Sequence, residues 1–190
     1  MATDVLRRVS AREHDKYTEM WSVDHYAKHS PGLEAIPRFR RITLAAPRER
    51  VADFGCGDGR AAQRLAQDGF IVTGYDLTDV RRPENRDFHF HQQALWHSIP
   101  QTWHRWGYCV DVLEHIPAEF TMLAIWQMVR ACGRLYAEIA LTPDSCGVWI
   151  GQTLHETVRP FVWWRDRLRE VGHVKEARDR LHHGVFVVTA

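Results

Sequence analysis

The chain has 190 residues, of which 45% are hydrophobic and 26% charged, and its formal net charge is +1. This balance suits one globular domain with a substantial core and provides no general electrostatic attraction for nucleic acid, although a local basic patch stays open. No apolar run approaches the roughly 18 residues that a membrane span needs, and the first residues lack the apolar centre of a secretory signal. The four cysteines form no C-x-x-C pair, so we expect reduced thiols and a cytoplasmic protein without a membrane partner.

The first part of the chain is predicted to be helical. Residues 1–46 form this preface, with breaks expected at Ser30-Pro31-Gly32 and at Pro37, and residues 47–190 form the main domain. Aromatic and histidine side chains in the preface could form a lid that excludes water from a site, or could simply pack on the domain. These side chains are Trp21, Tyr26 and His29.

From residue 50 onward, strand-like runs alternate with helix-like runs. Strands are predicted at residues 50–54, 70–75, 87–91, 108–112 and 134–140, and helices at residues 59–68, 117–132 and 160–171. The final 18 residues are typical of two strands joined by a turn, whereas Pro83 predicts a stunted helix after the second strand. The pattern predicts an α/β fold with a doubly wound, mostly parallel seven-stranded sheet that ends in an antiparallel hairpin.

A glycine-rich loop follows the first predicted strand. Residues 51–60 read VADFGCGDGR, with glycines at the alternate positions Gly55, Gly57 and Gly59. Glycine tolerates positive φ and lets a ligand lie against bare backbone, and a loop between a strand and a helix offers its N–H groups at the edge of the sheet. A tight turn alone would need only one glycine. The loop therefore predicts a ligand site.

The spacing of the glycines narrows the choice of ligand. A dinucleotide fingerprint, G-x-G-x-x-G, requires a glycine where this chain has Arg60, which weakens the hypothesis of an NAD-dependent oxidoreductase. The loop also lacks the G-K-[ST] ending of a nucleotide triphosphate loop, which excludes that class.

Three segments together resemble the class I S-adenosylmethionine-dependent methyltransferases. Residues 53–59 are similar to the first motif of that family, Asp76 is similar to the acidic residue of the second, and residues 108–117, YCVDVLEHIP, are similar to the fourth in its D-x-x-E-H form. The resemblance covers residues 50–140. It implies a Rossmann-like methyltransferase fold, S-adenosyl-L-methionine as cofactor and S-adenosyl-L-homocysteine as product.

The resemblance also implies roles for single residues. Asp76 would accept hydrogen bonds from the ribose hydroxyls, Asp53 would face the methionine ammonium through water, and Leu77 would cover the adenine. Gln93 lies where the family often has an aspartate that meets the adenine amine, and its carbonyl can accept the same hydrogen bond. The full set of expected cofactor-binding residues is Asp53, Gly55, Cys56, Gly57, Gly59, Asp76, Leu77, Gln93 and Asp111.

The D-x-x-E-H segment raises the question of a metal ion. Family members that resemble ubiquinone-pathway O-methyltransferases hold a divalent ion with E-x-x-E-H, and this chain has the shorter Asp111 in place of the first glutamate. Two carboxylates and an imidazole suit such an ion, but Glu114 and His115 could equally complete a metal-free pocket. We assign no metal ligand from the sequence.

The motifs that this chain lacks exclude two classes of methyl acceptor. The chain lacks the [N/D]-P-P-[Y/F] motif of nucleobase amino methyltransferases and the Pro-Cys pair of cytosine C5 enzymes. His115 and His155 are the candidate general bases. Three tryptophans could shape an acceptor pocket: Trp96, Trp103 and Trp106.

The sequence thus predicts an enzyme that methylates an O or N atom of a small molecule. Two alternatives stay open: a methyltransferase acting on a nucleotide or nucleic-acid base, and a catalytically silent module that only binds S-adenosylmethionine.

Overall fold

The computed structural model describes residues 2–100 and 104–190, without the side chains of residues 2, 3 and 176–180. A seven-stranded sheet forms the centre of this part of the chain. Its strands are β1 Arg50–Phe54, β2 Ile71–Asp76, β3 His89–Gln92, β4 Trp106–Val110, β5 Arg134–Ala140, β6 His173–Arg180 and β7 His183–Thr189. The order across the sheet is β3-β2-β1-β4-β5-β7-β6. Neighbouring strands are parallel except that β7 runs antiparallel to β5 and β6, so the predicted sheet is confirmed.

Helices cover both faces of this sheet. They are α1 Ala2–Trp21, α2 Asp24–Lys28, α3 Pro31–Thr43, α4 Arg60–Gln67, α5 Ala118–Ala131 and α6 Phe161–Arg169. Alternate strand residues point to opposite faces, so Val51 packs with α3 and α4 while its neighbour Ala52 packs with α5 and α6. The connection between β2 and β3 contains only the short 3₁₀ turn Pro83–Asn85, as predicted. Within the described residues, no helix is both long and apolar enough to cross a membrane.

Two local predictions are wrong. The predicted break at Pro37 is absent, because α3 runs through it; the hydrogen bond that a proline removes is offset by the burial of Ile36 and Phe39 on the same helix. The fourth strand ends at Val110, two residues earlier than expected. Asp111 has a φ of 60°, a left-handed conformation that no strand can continue through.

The strand order places a crevice at the carboxyl ends of β1 and β4. From β1 the chain proceeds outward to β2 and β3, and then crosses to β4 on the other side of β1. The connections at this switch point leave in opposite directions, so their loops diverge and leave room for a ligand. The glycine loop after β1 and the D-x-x-E-H segment after β4 meet at this crevice.

Candidate functional site

The glycine loop adopts a backbone that only glycine tolerates easily. Gly55, Gly57 and Gly59 all have positive φ, at 75°, 51° and 84°. The N–H of Gly55 donates to the carbonyl of Tyr75 at 2.7 Å, which ties the loop to the end of β2. A Cβ on Gly55 would lie 2.4 Å from Cγ2 of Val112, so a side chain at this position would collide with the segment after β4. The loop therefore keeps its backbone exposed to the crevice.

Asp76, the last residue of β2, is bonded to this loop. Its Oδ2 accepts from the N–H of Gly57 at 2.8 Å, and its Oδ1 accepts from the N–H and hydroxyl of Thr78 at 2.9 and 3.1 Å. Burial raises the pKa of Asp76, and these hydrogen bonds oppose the rise. The carboxylate is thus fixed beside the loop, at the edge of a cavity.

Asp53, the fourth residue of β1, lacks the hydrogen bonds from backbone N–H groups that Asp76 receives, within the described residues. Its carboxyl group is buried, and Oδ2 has no hydrogen-bond partner in the described part of the chain. Burial, and then the charge of Asp76, raises the pKa of Asp53 to about 8. A cationic ligand group beside Asp53 would satisfy this carboxylate, so the site has a place prepared for a positive charge.

Two cavities lie over the loop. The first, of about 120 Å³, is lined by Asp76, Leu77, Leu95 and Trp96 on the β2–β3 side, and by Glu13, Tyr17 and His115 on the other. The second, of about 350 Å³, is lined by Asp53, Cys56, Asp58, Tyr108, Ser145 and Cys146. Gly55 and Gly57 form part of the floor of both, and Trp21 and Tyr26 line both. These two aromatic side chains therefore divide one continuous crevice.

The aromatic division comes from the end of α1 and from α2. Trp21 packs edge-on against Tyr26, with ring centroids 5.1 Å apart. Its indole lies directly on the glycine loop, since a Cβ on Gly57 would approach Cζ2 of Trp21 to 2.6 Å. The side chain that sequence analysis placed in a possible lid thus covers the loop itself.

Arg60, the first residue of α4, holds α2 in this position. Its guanidinium donates to the backbone carbonyls of Ala27, Lys28 and His29 at 2.7, 3.0 and 2.6 Å, and it pairs with Asp58 at 2.6 Å. Carbonyls at the end of a short helix lack partners within the helix, so a guanidinium is well matched to them. The contact between Arg60 and the preface is not predictable from the glycine motif, in which this arginine only weakens the dinucleotide hypothesis.

His115 ends the 3₁₀ turn Leu113–His115, directly after β4. Its Nδ1 lies 2.8 Å from the hydroxyl of Tyr17 on α1. Burial lowers the pKa of His115 to about 4, so the ring is neutral at pH 7. It lines the first cavity and can accept a proton there.

His155 packs edge-on against His115, with ring centroids 4.7 Å apart. Its Nδ1 lies 2.6 Å from the carbonyl oxygen of Thr142. A carbonyl only accepts, so Nδ1 of His155 carries a hydrogen and donates it to this bond. The two histidines that sequence analysis named as candidate bases, 40 positions apart, are therefore neighbours.

The loop after β5 brings His155 to this position, and Asp144 organises that loop. Its Oδ1 accepts from the N–H groups of Cys146 and Gly147 at 3.1 and 2.6 Å, and its Oδ2 from those of Leu154 and His155 at 3.0 and 3.3 Å. Burial acts to raise the pKa of Asp144, but these N–H groups hold it below its ordinary value. Sequence analysis missed this residue, although an aspartate in the turn sequence TPDSCG is a typical backbone-capping residue.

Four potential ligand groups meet beside the histidines. One ligand atom from each of Asp111, Glu114, His115 and His155 lies within 4.8 Å of the others. The Oε1 of the buried Glu114 accepts from the N–H of Ala140 at 2.6 Å, and burial together with nearby Asp111 raises the pKa of Glu114 well above its ordinary value. Two carboxyl groups and two imidazoles form a donor set that a divalent cation accepts. His155 is the member that sequence analysis did not consider as a ligand.

The structure brings most of the expected cofactor residues to the crevice. The residues that line a cavity are Asp53, Gly55, Cys56, Gly57, Asp76, Leu77 and Asp111. Gln93 is not among the cavity-lining residues; its Nε2 lies 3.5 Å from the carbonyl of Ser98, whereas the next residues, Ala94 and Leu95, line the first cavity. Gly59 supports the loop from beneath, against the carbonyl of Asn85.

The tryptophans expected to shape an acceptor pocket differ in position. Trp96 lines the first cavity and stacks on Phe120. Trp106 is the first residue of the central strand β4, at the amino ends of the parallel strands, and donates to Glu49 at 2.9 Å, so it does not belong to the pocket at their carboxyl ends. Trp103 lies outside the described residues.

Sequence analysis also missed Glu13 and Tyr17, which line the first cavity together with Trp21. A signal was present: the three residues are spaced four apart on α1, so they share one face of the helix.

Comparison with known proteins supports the fold. No family model matches this chain. An alignment over 108 residues, which covers 50% of this chain and 45% of the other protein, shows 28% identity to the ubiquinone biosynthesis O-methyltransferase of Pseudomonas entomophila.

Solved structures match over nearly the whole chain. A TehB-like SAM-dependent methyltransferase from Corynebacterium glutamicum superposes with a TM-score of 0.67 at 18% identity, over 94% of this chain and 98% of that one. The magnesium protoporphyrin IX methyltransferase of Synechocystis, solved with bound SAM, superposes with a TM-score of 0.66 at 18% identity, over 98% of this chain and 95% of that one. The chain therefore has the Rossmann-like fold of class I S-adenosylmethionine-dependent methyltransferases, and the resemblance inferred from its motifs is confirmed.

Proposed function

We propose that this protein is an S-adenosylmethionine-dependent methyltransferase that modifies an O or N atom of a small molecule. The observation that carries the proposal is the pairing of Asp53 and Asp76 on either side of the glycine loop. The loop holds Asp76 where the ribose would lie, and Oδ2 of the buried Asp53 has no hydrogen-bond partner among the described residues. A cofactor with both a ribose and an ammonium group matches this arrangement.

The linings of the two cavities suggest which residues contact each part of the cofactor. Asp76 and Leu77 would bind the ribose and adenine in the first cavity, and Asp53 and Cys56 the methionine part in the second. Gly55 and Gly57 would lie beneath both parts. The contact of Gln93 with the adenine amine stays a prediction, and it requires the amide to leave the carbonyl of Ser98.

The bound cofactor supplies an electrophilic methyl group on a positively charged sulfur. Proximity and alignment contribute heavily to an in-line displacement of this kind, and the enclosed crevice would provide both. An acceptor hydroxyl also has to lose its proton. His115 is neutral at pH 7 and lines the first cavity, so we assign it the role of base, with His155 packed against it.

The side of the first cavity around His115, away from Asp76 and Leu77, favours a small acceptor. Tyr17, Trp96 and Ile116 provide apolar and aromatic surface around His115, under the cover of Trp21. Such an enclosure fits a compact ring better than a base within a polymer. This is the reason to prefer a small molecule to a nucleic acid.

A divalent cation is a second candidate component of the site. The ligand atoms of Asp111, Glu114, His115 and His155 lie close enough together to hold one. Such an ion would polarise an acceptor hydroxyl and so lower its pKa. Titration calorimetry with Mg²⁺ and Zn²⁺ tests this component; heat that disappears in Glu114→Gln supports it, and a methylation rate unchanged by chelation contradicts it.

We assign the role of a lid to only a part of the preface, residues 1–46. Phe39 of α3 is fully buried against the rings of Tyr108 and Tyr136, so α3 belongs to the core of the sheet domain. The parts that cover the crevice are the end of α1 and the short helix α2, which Arg60 holds by its carbonyls. We therefore propose that the lid comprises α1 and α2 alone.

An acceptor screen tests the proposed activity. The purified protein is incubated with S-adenosylmethionine and pools of small phenols and amines, and S-adenosylhomocysteine formation is measured against a sample without acceptor and against His115→Ala. We expect acceptor-dependent turnover that His115→Ala abolishes. Turnover on RNA or DNA alone would contradict the small-molecule acceptor, and cofactor binding without any turnover would favour the silent binding module.

A further inference from the structure

The side chain of Tyr17 contacts His115, the candidate base, which lies 98 positions further along the chain. Its hydroxyl lies 2.8 Å from Nδ1 of His115 and 3.3 Å from the carbonyl oxygen of Leu154. The two rings also meet edge to face, with centroids 5.7 Å apart. Burial raises the pKa of Tyr17 well above its ordinary value, so the phenol keeps its proton.

The two contacts of the hydroxyl determine the position of a hydrogen on His115. The carbonyl of Leu154 can only accept, so the hydrogen bond to it uses the single hydrogen of the phenol. Nδ1 of His115 can then bond to the phenol oxygen only by donating. Both hydrogen bonds exist together only when His115 carries its hydrogen on Nδ1, which leaves the lone pair on Nε2.

Tyr17 is held firmly in place by its neighbour on α1. The ammonium of Lys16 is buried, with 3% of its side chain exposed, and pairs with Glu13 at 2.5 Å and Glu156 at 2.9 Å. It also donates to the carbonyl of Thr153 at 3.3 Å. These contacts join α1 to the same segment that supplies Leu154 and His155, so the phenol cannot drift from His115 without breaking a buried ion pair.

We propose that Tyr17 is a positioning residue that holds His115 in the tautomer with its lone pair on Nε2. The inference rests on the proposed function in so far as His115 is the base, but the tautomer is a property of the free protein. His155 likewise carries a hydrogen on Nδ1, which it donates to the carbonyl of Thr142. The N-terminal helix then contributes to the chemistry as well as covering the crevice.

The test is Tyr17→Phe, which removes the hydroxyl and keeps the ring. In chelator-treated protein with ¹⁵N-labelled histidine, long-range ¹H–¹⁵N spectra report which ring nitrogen of His115 is protonated. We expect protonated Nδ1 and unprotonated Nε2 in the parent protein, and averaged nitrogen shifts in Tyr17→Phe. With an acceptor found, kcat should fall about tenfold or more while the KM for S-adenosylmethionine stays unchanged.

The matched control is Tyr136→Phe, because Tyr136 also has a buried hydroxyl bond, to Glu138, but does not line either cavity. This variant should keep the His115 spectrum and kcat of the parent. A parent spectrum with hydrogen on Nε2, or an unchanged spectrum in Tyr17→Phe, would overturn the inference. The expected spectra in a protein that never turns over any acceptor would uphold the tautomer and reject the proposed activity.

Discussion

Asp53 and Asp76 lie near the carboxyl ends of the neighbouring strands β1 and β2, but their hydrogen bonding differs. Asp76 receives hydrogen bonds from Gly57 and Thr78, whereas the Oδ2 atom of Asp53 receives none in the described part of the chain. Burial, and then the charge of Asp76, raises the pKa of Asp53 to about 8, above its ordinary value of 3.8. In the free protein this carboxyl is mostly protonated at pH 7.

This difference predicts that cofactor binding releases a proton. An ammonium placed beside Asp53 favours the carboxylate, so binding of S-adenosylhomocysteine at pH 6.5 to 7.5 should release roughly one proton. Calorimetry in buffers with different enthalpies of ionisation measures this number directly. At pH 9 the carboxyl is already ionised, and the release should approach zero. Asp53→Asn should release none at either pH, and equal release by this variant and the parent protein would contradict the assignment.

The same shift has a consequence for stability. A carboxyl whose pKa is raised on folding contributes stability that is fully present below its unfolded pKa and is lost as the pH rises through the folded value. The free protein should therefore lose stability between pH 4 and pH 8 through Asp53, and Asp53→Asn should lessen this loss. Urea denaturation across that range measures it, and an identical pH dependence in both proteins would argue against the shift.

How far the sequence predicts these residues depends on the distance between them along the chain. Asp53, the glycines and Asp76 lie within one strand–helix–strand unit, and local motifs were sufficient to identify them. Tyr17 and His115 are 98 positions apart, and Asp144 acts through four backbone N–H groups of its own loop. Their roles arise from tertiary packing and from loop conformation, neither of which a strand or helix pattern encodes.

At the scale of elements, α2 is a five-residue helix with little intrinsic stability, and its position depends on the arginine below it. Arg60→Gln removes most of the bonds to the carbonyls of Ala27, Lys28 and His29. We predict that S-adenosylhomocysteine then dissociates about threefold faster or more, because charge-assisted hydrogen bonds from Arg60 hold the proposed lid in place. Stopped-flow fluorescence measures this rate. Arg64→Gln is the matched control, since Arg64 lies on the same helix and its side chain pairs with Asp68 near the surface. An equal dissociation rate in both variants would show that the bonds from Arg60 to α2 do not slow dissociation.

The attachment of α1 gives a second prediction at this scale. Lys16→Met should destabilise the protein by about 3 kcal/mol, because it leaves the buried Glu13 without its closest cation. Urea denaturation measures the change, and adding Glu13→Gln should restore part of the loss. The exposed Lys175 serves as the control, and Lys175→Met should change stability little. Equal effects at the two lysines would mean that the buried pair does not hold α1.

For the whole molecule, the alternation of strands and helices was enough to predict the sheet, because each strand and helix has its own hydrophobic period. It did not predict where α1 and α2 lie. Their apolar faces could have packed anywhere on the sheet domain, and their position is set by partners such as Arg60, Glu156 and His115 that are distant in sequence. The helices that cover the crevice, and that would face an acceptor, are therefore the part of the candidate site that the sequence predicts least.

The central claim, that the crevice binds S-adenosylmethionine, is tested most directly by calorimetric titration of S-adenosylhomocysteine and, separately, of NAD. We predict that S-adenosylhomocysteine binds with one site per chain, that NAD gives no heat, and that Asp76→Ala weakens binding at least tenfold, about 1.4 kcal/mol. Asp79→Ala, an exposed neighbour that pairs only with Arg81 among the described residues, should bind as the parent does. Heat with NAD and none with S-adenosylhomocysteine would contradict the claim.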